Sequence, residues 1–406
     1  IFVRFITHSF LKANININKN VGVINLRKIK KICSIIIAFC IVIASTVEVS
    51  AENEIEVTAP SAILMEQNTG KVLFEKNADE VRTGASLMKI MCLLIAMERI
   101  DENKLSLTET VTASDNAAEV KGADVWIKSG ESMKVEDLIK AIAMVSANDA
   151  TVALAERIAG SEQKFIEMEN EKTKQLGMQN TVFKDAVGSE ESGSVTSARD
   201  VALMSRELMR YKNIIPYVTS WIDHLRDGQT QIVNTNKMVR TYQGTTGLKT
   251  GTSEKSGSCI SATAQKDGME LIAVALGCSN SKDRFKDATV LLDTGFSEYK
   301  SIKPRLPEDI PNFIKVKNGM QSEVELTTEV DGEFLVKKGE EKSISCSVEL
   351  KEELTAPVSK GEEAGKLIYK LGDEILAEYG IYTIYDVEQV NFKSVFNGIV
   401  LQFLKL

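Results

Sequence analysis

The spacing of apolar residues predicts strands and helices over the first three quarters of the chain. Apolar positions recur at helical spacing in residues 86–100, 135–145, 149–159 and 197–211. Short apolar runs typical of strands occupy residues 62–68, 71–76, 257–265 and 271–278. Strands at both ends with helices between them predict an α/β (α+β) domain over residues 52–301, in which one mixed sheet packs against a helical region.

The pattern changes after residue 302. Three of the six prolines, Pro304, Pro307 and Pro311, fall close together, and proline there disfavours both helix and central strand. From Ile344 to Leu350 apolar and polar residues alternate, which is the period of a half-buried strand. We therefore predict a domain boundary near residue 302 and a small antiparallel β domain over residues 302–388.

Residues 389–406 form a terminal segment with one apolar face. Between Phe392 and Leu404 the large apolar residues recur at intervals of three and four. A helix over residues 392–406 would span only about 22 Å, which is too short to cross a bilayer. We predict an amphipathic helix that lies in a membrane surface; a terminal helix docked on its own protein is the alternative.

The first 51 residues are expected to lie outside the mature protein. Four basic residues between Arg27 and Lys31 precede an uncharged run over residues 32–47, and Val49-Ser50-Ala51 follows as a small-residue cleavage site. This order is typical of a secretory signal peptide. We expect an over-extended N-terminus with a signal peptide, and export to the outer face of the cytoplasmic membrane or the cell wall; an uncleaved anchor is the alternative.

Composition excludes several kinds of site. Residues 52–406 carry 42 basic against 56 acidic side chains, which argues against a nucleic-acid partner. With only His8 and His224 present, a multi-histidine zinc site is excluded and a Ser-His-Asp triad would depend on His224 alone. The four cysteines after residue 51 lack the spacing of a disulfide framework. They are expected to be small buried hydrophobes, and a disulfide between two of them is left open.

Ser86 and Lys89 open a segment that is apolar on nearly every face apart from the lysine. Burial favours the neutral amine, because desolvation penalises its charged form. Three residues is about one helical turn, so the amine would lie beside the Ser86 hydroxyl and accept its proton, in place of the histidine that the chain lacks. The alternative is an N-cap serine followed by a lysine that reaches solvent.

Two further motifs follow in the chain. Ser146-Ala147-Asn148 separates two predicted helices and can present a hydroxyl and an amide to a cleft; helix capping is the alternative. Lys249-Thr250-Gly251-Thr252 precedes the predicted strand 257–265. Its lysine can bind a carboxylate, its glycine permits close backbone approach, and its last N–H can complete an oxyanion hole. Each motif alone is weak evidence, and their joint occurrence in this order is specific.

The chain thereby resembles the low-molecular-mass penicillin-binding proteins, which are serine-type D-Ala-D-Ala carboxypeptidases and carry S-x-x-K, S-x-N and K-T-G motifs. The resemblance covers roughly residues 55–406. It implies a peptidoglycan stem peptide as substrate, covalent inhibition by β-lactam antibiotics, and no metal or organic cofactor. It also implies that the terminal helix is a membrane anchor.

The resemblance implies three catalytic roles: Ser86 as the acylated nucleophile, Lys89 as its base, and Ser146 as a proton relay toward the leaving D-alanine. Its implied substrate-binding residues are Asn148, Lys249, Thr250, Gly251 and Thr252. Asn148 would hold the peptide amide, and Lys249 with Thr250 the terminal carboxylate. The N–H groups of Ser86 and Thr252 would form the oxyanion hole.

The sequence departs from the family pattern in three places, one of which is Thr252, where a bulkier residue often follows the K-T-G motif. Gly84-Ala85 replaces the usual proline-alanine before the nucleophile, and residues 183–189 lack the histidine that is frequent there. Two alternatives stay open. One is a class A-like β-lactamase that uses Glu190 or Glu191 to activate water, and the other is a catalytically idle protein that binds the cell wall.

Overall fold

The computed structural model of the protein describes residues 55–404, so the predicted signal segment lies outside the described residues. The α-helices are α1 (Lys89–Asp101), α2 (Asp115–Glu119), α3 (Val135–Lys140), α4 (Asn148–Ala159), α5 (Glu162–Gln175), α6 (Ala198–Leu208), α7 (Ile215–Thr219), α8 (Met238–Thr241), α9 (Ser281–Glu298) and α10 (Phe392–Leu404). Short 3₁₀ or π turns cover Ala85–Met88, Ala141–Val145, Lys212–Ile214 and Glu341–Ser343.

The strands fall into two groups along the chain. The first group is β1 (Ser61–Glu66), β2 (Val72–Lys76), β3 (Thr110–Thr112), β4 (Ser132–Lys134), β5 (Ile222–Leu225), β6 (Thr230–Val233), β7 (Thr245–Ser253), β8 (Gly257–Lys266), β9 (Met269–Cys278) and β10 (Tyr299–Ile302). The second group is β11 (Phe313–Lys317), β12 (Glu323–Thr327), β13 (Phe334–Lys337), β14 (Ile344–Leu350), β15 (Leu354–Thr355), β16 (Glu363–Leu371) and β17 (Glu374–Thr383).

A five-stranded sheet in the order β2-β1-β9-β8-β7 forms the centre of the first group. All four of its pairings are antiparallel. The α/β architecture is as predicted, but the expectation of a mixed sheet is wrong. Tight turns join β1 to β2, β7 to β8 and β8 to β9, and such turns connect antiparallel strands.

Helices cover both faces of this sheet, which explains the uninterrupted apolar runs of β1 and β9. Ile63 on β1 packs into the same core as α1, whereas its neighbour Leu64 packs with Leu291 on α9. Successive side chains on a strand point to opposite faces, so both faces of the sheet are buried. Helix α1 is buried from Lys89 through Met97, and this enclosure sets the environment of the lysine.

The second group of strands forms a six-stranded sheet in the order β14-β16-β17-β12-β11-β15. Its pairings are antiparallel except for the short pairing of β11 with β15, which is parallel. Along β14 half-buried and exposed residues alternate, as the period of two predicts. Strand β10 ends at the proposed boundary near residue 302 and pairs with β13. The two groups of strands are therefore linked by backbone hydrogen bonds.

The described region ends in helix α10, which exposes several large apolar side chains. Phe392 is 86% exposed and Leu404 is 77% exposed. Within residues 55–404, no helix is both long enough and apolar enough to cross a membrane. Association of this helix with a membrane surface stays a prediction.

The four cysteines of the described residues are all free thiols. Cys92, Cys259 and Cys278 are buried, as expected of small core residues, and Cys346 is half-buried. The disulfide that the sequence left open is therefore not formed among them.

Candidate active site

Ser86 and Lys89 meet at the start of the buried helix α1. Ser86 lies in the 3₁₀ turn Ala85–Met88, and Lys89 is the first residue of α1. The Lys89 Nζ atom is 3.4 Å from Ser86 Oγ and 3.2 Å from the carbonyl oxygen of Val187. Lys89 is only 2% exposed. Its amine therefore ends inside the protein against the serine and does not reach solvent.

Burial changes the acidity of this amine. Desolvation lowers the pKa of Lys89 to about 8, and the nearby carboxylate of Asp185 opposes the shift. Asp185 itself accepts backbone hydrogen bonds from Gly188 at 2.7 Å and Ser189 at 3.0 Å, which hold it beneath the loop that carries Val187. With a pKa of about 8, roughly a tenth of the amines are neutral at pH 7. That neutral fraction can accept a proton from Ser86.

Ser146 and Asn148 lie between the π turn Ala141–Val145 and helix α4. Ser146 has a left-handed backbone with φ of 66°, and within the described residues its Oγ atom, though buried, has no hydrogen-bond partner. The Asn148 amide donates to the carbonyl oxygen of Lys121 at 2.6 Å. Neither side chain caps helix α4. The serine hydroxyl is thus uncommitted, as a proton relay requires.

The Lys249-Thr250-Gly251-Thr252 motif lies inside its own strand, β7, and runs directly past Ser86. A methyl group added at Gly251 would lie 2.9 Å from the backbone nitrogen of Ser86, so only glycine permits this approach. The Thr250 hydroxyl donates to Thr235 Oγ1 at 2.8 Å. The close approach brings the backbone of β7 to the side of Ser86.

Lys249 is the second buried amine of the site and is 1% exposed. Burial lowers its pKa well below the ordinary value, and the positive charges of Lys89 and Arg284 lower it further. An anionic ligand beside Lys249 would restore the charge of this amine, because an opposite charge nearby favours the ionised form. The region is therefore electrostatically prepared for a carboxylate.

Arg284 is a supporting residue that the sequence analysis missed. It lies on α9 and is 7% exposed. Its Nη1 atom donates to the carbonyl oxygen of Gly251 at 2.9 Å and to Thr252 Oγ1 at 2.7 Å. The buried guanidinium thus fixes the end of β7 next to Ser86. No local motif marks this arginine, because its partners lie more than 30 positions away in sequence.

Comparison with known proteins agrees with this geometry. Residues 46–280 match the family described as D-alanyl-D-alanine carboxypeptidase, peptidase S11. Residues 299–389 match the C-terminal domain of penicillin-binding protein 5. The chain belongs to the D-alanyl-D-alanine carboxypeptidase family. The family and the hydrolase activity that the three motifs predicted are thereby confirmed.

Several individual proteins are similar to this chain over most of their own length. The D-alanyl-D-alanine carboxypeptidase DacF of Bacillus subtilis is 38% identical, over 84% of this chain and 88% of its own. The structure of penicillin-binding protein 5 from Haemophilus influenzae matches with a TM-score of 0.72 and 27% identity, over 82% of this chain and 98% of that chain. Penicillin-binding protein D2 of Listeria monocytogenes, in its ampicillin-bound form, matches 59% of this chain and 98% of its own with 30% identity and a TM-score of 0.55.

The structure gives a physical reason for one departure from the carboxypeptidase pattern. A Cβ atom at Gly84 would lie 2.6 Å from the Thr196 methyl group and 3.1 Å from the sulfur of Met88. Such a contact is shorter than side chains tolerate, so the neighbours of position 84 in this chain leave room only for glycine. Ala85, the next residue, has a left-handed φ of 45° and presents Ser86 at the turn.

The loop over residues 183–189 contacts Lys89 in spite of its altered sequence. Its contribution is the carbonyl oxygen of Val187, which accepts a hydrogen bond from Lys89. Beyond it, Glu190 accepts hydrogen bonds from the Ser253 hydroxyl at 2.5 Å and from the Lys255 N–H at 3.1 Å. This carboxylate is therefore engaged in tying the loop to the end of β7. Glu191 is exposed.

Proposed function

We propose that the chain removes the terminal D-alanine from peptidoglycan stem peptides through an acyl-enzyme on Ser86. The observation that carries the proposal is the buried amine of Lys89, 3.4 Å from the Ser86 hydroxyl. A lowered pKa lets this amine act as the base that activates the serine. Relatives named as D-alanyl-D-alanine carboxypeptidases support the substrate class.

Acylation begins when neutral Lys89 takes the proton from the Ser86 hydroxyl. The Ser86 oxygen then forms a bond to the carbonyl carbon of the penultimate D-alanine, and the carbonyl oxygen becomes an oxyanion. The N–H groups of Ser86 and Thr252 stabilise this charge. The Ser146 hydroxyl relays a proton from Lys89 to the departing amine as the peptide bond breaks. Free D-alanine leaves, and water hydrolyses the ester to regenerate Ser86.

Substrate binding uses the groups around this pair. The terminal carboxylate binds Lys249 and Thr250, and its negative charge keeps the buried amine of Lys249 protonated. Asn148 holds a peptide amide of the substrate. Arg284 acts as a positioning residue, since it holds the Gly251 carbonyl and the Thr252 side chain and thereby aims the Thr252 N–H.

The carboxypeptidase and β-lactamase hypotheses differ in the fate of the penicilloyl adduct. We expect fluorescent penicillin to label the protein persistently and nitrocefin to be turned over slowly, because Glu190 is already engaged by Ser253 and Lys255. Fast nitrocefin turnover would favour the β-lactamase. A protein that penicillin does not label would favour the idle wall-binding protein. The contacts of Ser86 and Glu190 support neither fast nitrocefin turnover nor absence of labelling.

The rate of acylation should depend on pH through Lys89. Its pKa is lowered to about 8 and only the neutral amine accepts a proton, so the second-order rate of penicillin acylation should rise about tenfold per pH unit below 8 and level off above it. Stopped-flow acylation between pH 5.5 and 9.5 measures the profile. A rate that is flat from pH 6 to 9 would contradict titration of this base.

We further propose that the chain is exported and held at the membrane surface by helix α10. The exposed apolar side chains of Phe392, Phe396 and Ile399 support this, because a membrane interface would cover them. Truncation before Phe392 should give a soluble enzyme with unchanged peptide hydrolysis. Fractionation of cell extracts checks this; if the truncated protein still sediments with membranes, α10 is not the anchor.

A further inference from the structure

A cavity of ≈ 680 Å³ lies where β10 and the following segment meet the C-terminal strands. One side is formed by Lys300 and by the segment that carries Lys303 and Arg305, and another by Lys342 beside β14. We call this space the basic cavity. Its volume is in the range that accommodates small organic ligands. It is separate in sequence from the motifs around Ser86.

The charge of the basic cavity is opposite to that of the surrounding region. Residues 299–389 contain 12 lysines and arginines against 19 aspartates and glutamates. Four of those cations line the cavity, and Glu341 is the one acidic residue that lines it. Positive charge gathered in a concave site of an otherwise acidic domain focuses the field on that site. The ligand that this field favours is an anion.

The negative charge of the single acidic side chain is already balanced by a lysine. Glu341 pairs with Lys300 and also accepts the Gly339 N–H at 3.1 Å. The hydrogen bond from Lys300 lowers the pKa of Glu341 to about 2, so the carboxylate remains charged and paired. Lys303, Arg305 and Lys342 form no ion pair with any residue of the described chain. All three are exposed and free to contact a ligand.

The remaining lining is apolar and held in place by strand contacts. Phe334 and Tyr369 lie at its base with ring centroids 5.1 Å apart. The Tyr369 hydroxyl donates to the carbonyl oxygen of Arg305 at 2.8 Å, which fixes the backbone that carries two of the cations. Ile302 and Pro304 add apolar surface beside these charges. The site therefore combines a fixed apolar floor with cations at its rim.

We propose that the basic cavity binds an anionic sugar, that is, a sugar ring that bears a carboxylate or a phosphate. The cations would bind the anionic group by charge-assisted hydrogen bonds, and the apolar floor would pack against the C–H face of the ring. A bare anion would leave most of the volume and the apolar floor unused. Such a site would give the enzyme a second binding site, for an anionic glycan. This proposal is independent of the proposed function at Ser86.

Calorimetric titration of the full chain tests this proposal with four probes: N-acetylmuramic acid, glucose 6-phosphate, inorganic phosphate and neutral N-acetylglucosamine. We expect at least one anionic sugar to bind at least about tenfold more tightly than both the neutral sugar and inorganic phosphate. If N-acetylmuramic acid binds more tightly, the natural ligand carries a carboxylate; if glucose 6-phosphate binds more tightly, it carries a phosphate. Equal binding of the neutral sugar, equal binding of inorganic phosphate, or no binding of either anionic sugar would overturn the proposal.

Variants locate the binding. K303Q/R305Q removes two charges from one wall of the cavity, and K342E reverses a charge on the other. Each change should lower the affinity for the anionic sugar about tenfold or more. The matched control K315Q/K360Q neutralises two exposed lysines of the same domain that do not line the cavity, and it should bind as the parent does. Parent-like binding by both K303Q/R305Q and K342E would exclude the cavity. All variants should retain hydrolysis of a diacyl-D-Ala-D-Ala peptide, so a failure here is distinguishable from a failure of the proposed function.

Discussion

Replacing Lys89 by arginine should abolish acylation of Ser86 while the protein stays folded. Arginine keeps the positive charge, but its guanidinium does not lose a proton in proteins, so it cannot act as the base. Loss of a general base typically lowers a rate 10²- to 10⁴-fold, and we expect a loss of about 10³-fold or more. The rate constant for penicillin acylation, measured beside a thermal unfolding transition, gives the result.

A matched lysine makes the Lys89→Arg result interpretable. Lys172 on α5 pairs with Glu98 of α1 at 2.6 Å and is mostly buried, so Lys172→Arg makes the same change against the same helix without touching Ser86. It should acylate at the parent rate. Because arginine is larger than lysine, Lys89→Gln serves as a second, smaller replacement and should also fail. Retained labelling in both Lys89 variants would remove this residue from the role of base.

Replacing Ser86 by alanine should eliminate both penicillin labelling and D-alanine release. No other hydroxyl is placed against the Lys89 amine in the hydrogen bonds of the described residues, so the acyl-enzyme has no other site on which to form. Removal of the nucleophile in serine hydrolases lowers turnover by several orders of magnitude, and we expect a loss of roughly 10⁴-fold or more. Release of D-alanine from a diacyl-D-Ala-D-Ala peptide is the assay.

Ser205 provides the corresponding control. It is a fully buried serine on α6 whose hydroxyl lies 2.8 Å from the Ser261 hydroxyl, and no hydrogen bond of the described residues joins it to Ser86 or Lys89. Ser205→Ala should lower the free energy of unfolding by about 1 kcal/mol through the lost hydrogen bond. Its turnover should remain close to that of the parent. A large loss of turnover in this control would mean that the loss in Ser86→Ala can arise from disturbed packing and does not identify the nucleophile.

The local parts of the site were predictable because they depend on neighbours in sequence. A segment that is apolar on nearly every face apart from Lys89 was predicted to be a buried helix. That burial predicted a perturbed amine at Lys89, one turn from Ser86. The alternation from Ile344 to Leu350 likewise predicted strand β14. In each case the pattern of a single element fixed its burial, and the burial determined its chemistry.

The missed features depend on long-range contacts. The Val187 carbonyl reaches Lys89 across 98 positions and Arg284 reaches Gly251 across 33. Neither partner carries a local signal, since a carbonyl is present in every residue and an arginine on a helix is ordinary. The basic cavity was missed for the same reason, because Lys303 and Lys342 become neighbours only when β10 pairs with β13. The antiparallel sheet followed from turn connections that the apolar pattern does not encode.

The central claim is that an uncharged amine activates one particular serine hydroxyl. Intact-mass analysis after incubation with penicillin and, separately, with a diacyl-D-Ala-D-Ala peptide tests it most directly, with the adduct mapped by peptide sequencing. We predict one penicilloyl group per chain, located on Ser86, and a transient acyl adduct on the same residue with the peptide. An adduct on any other residue, or none with either reagent, would contradict the account.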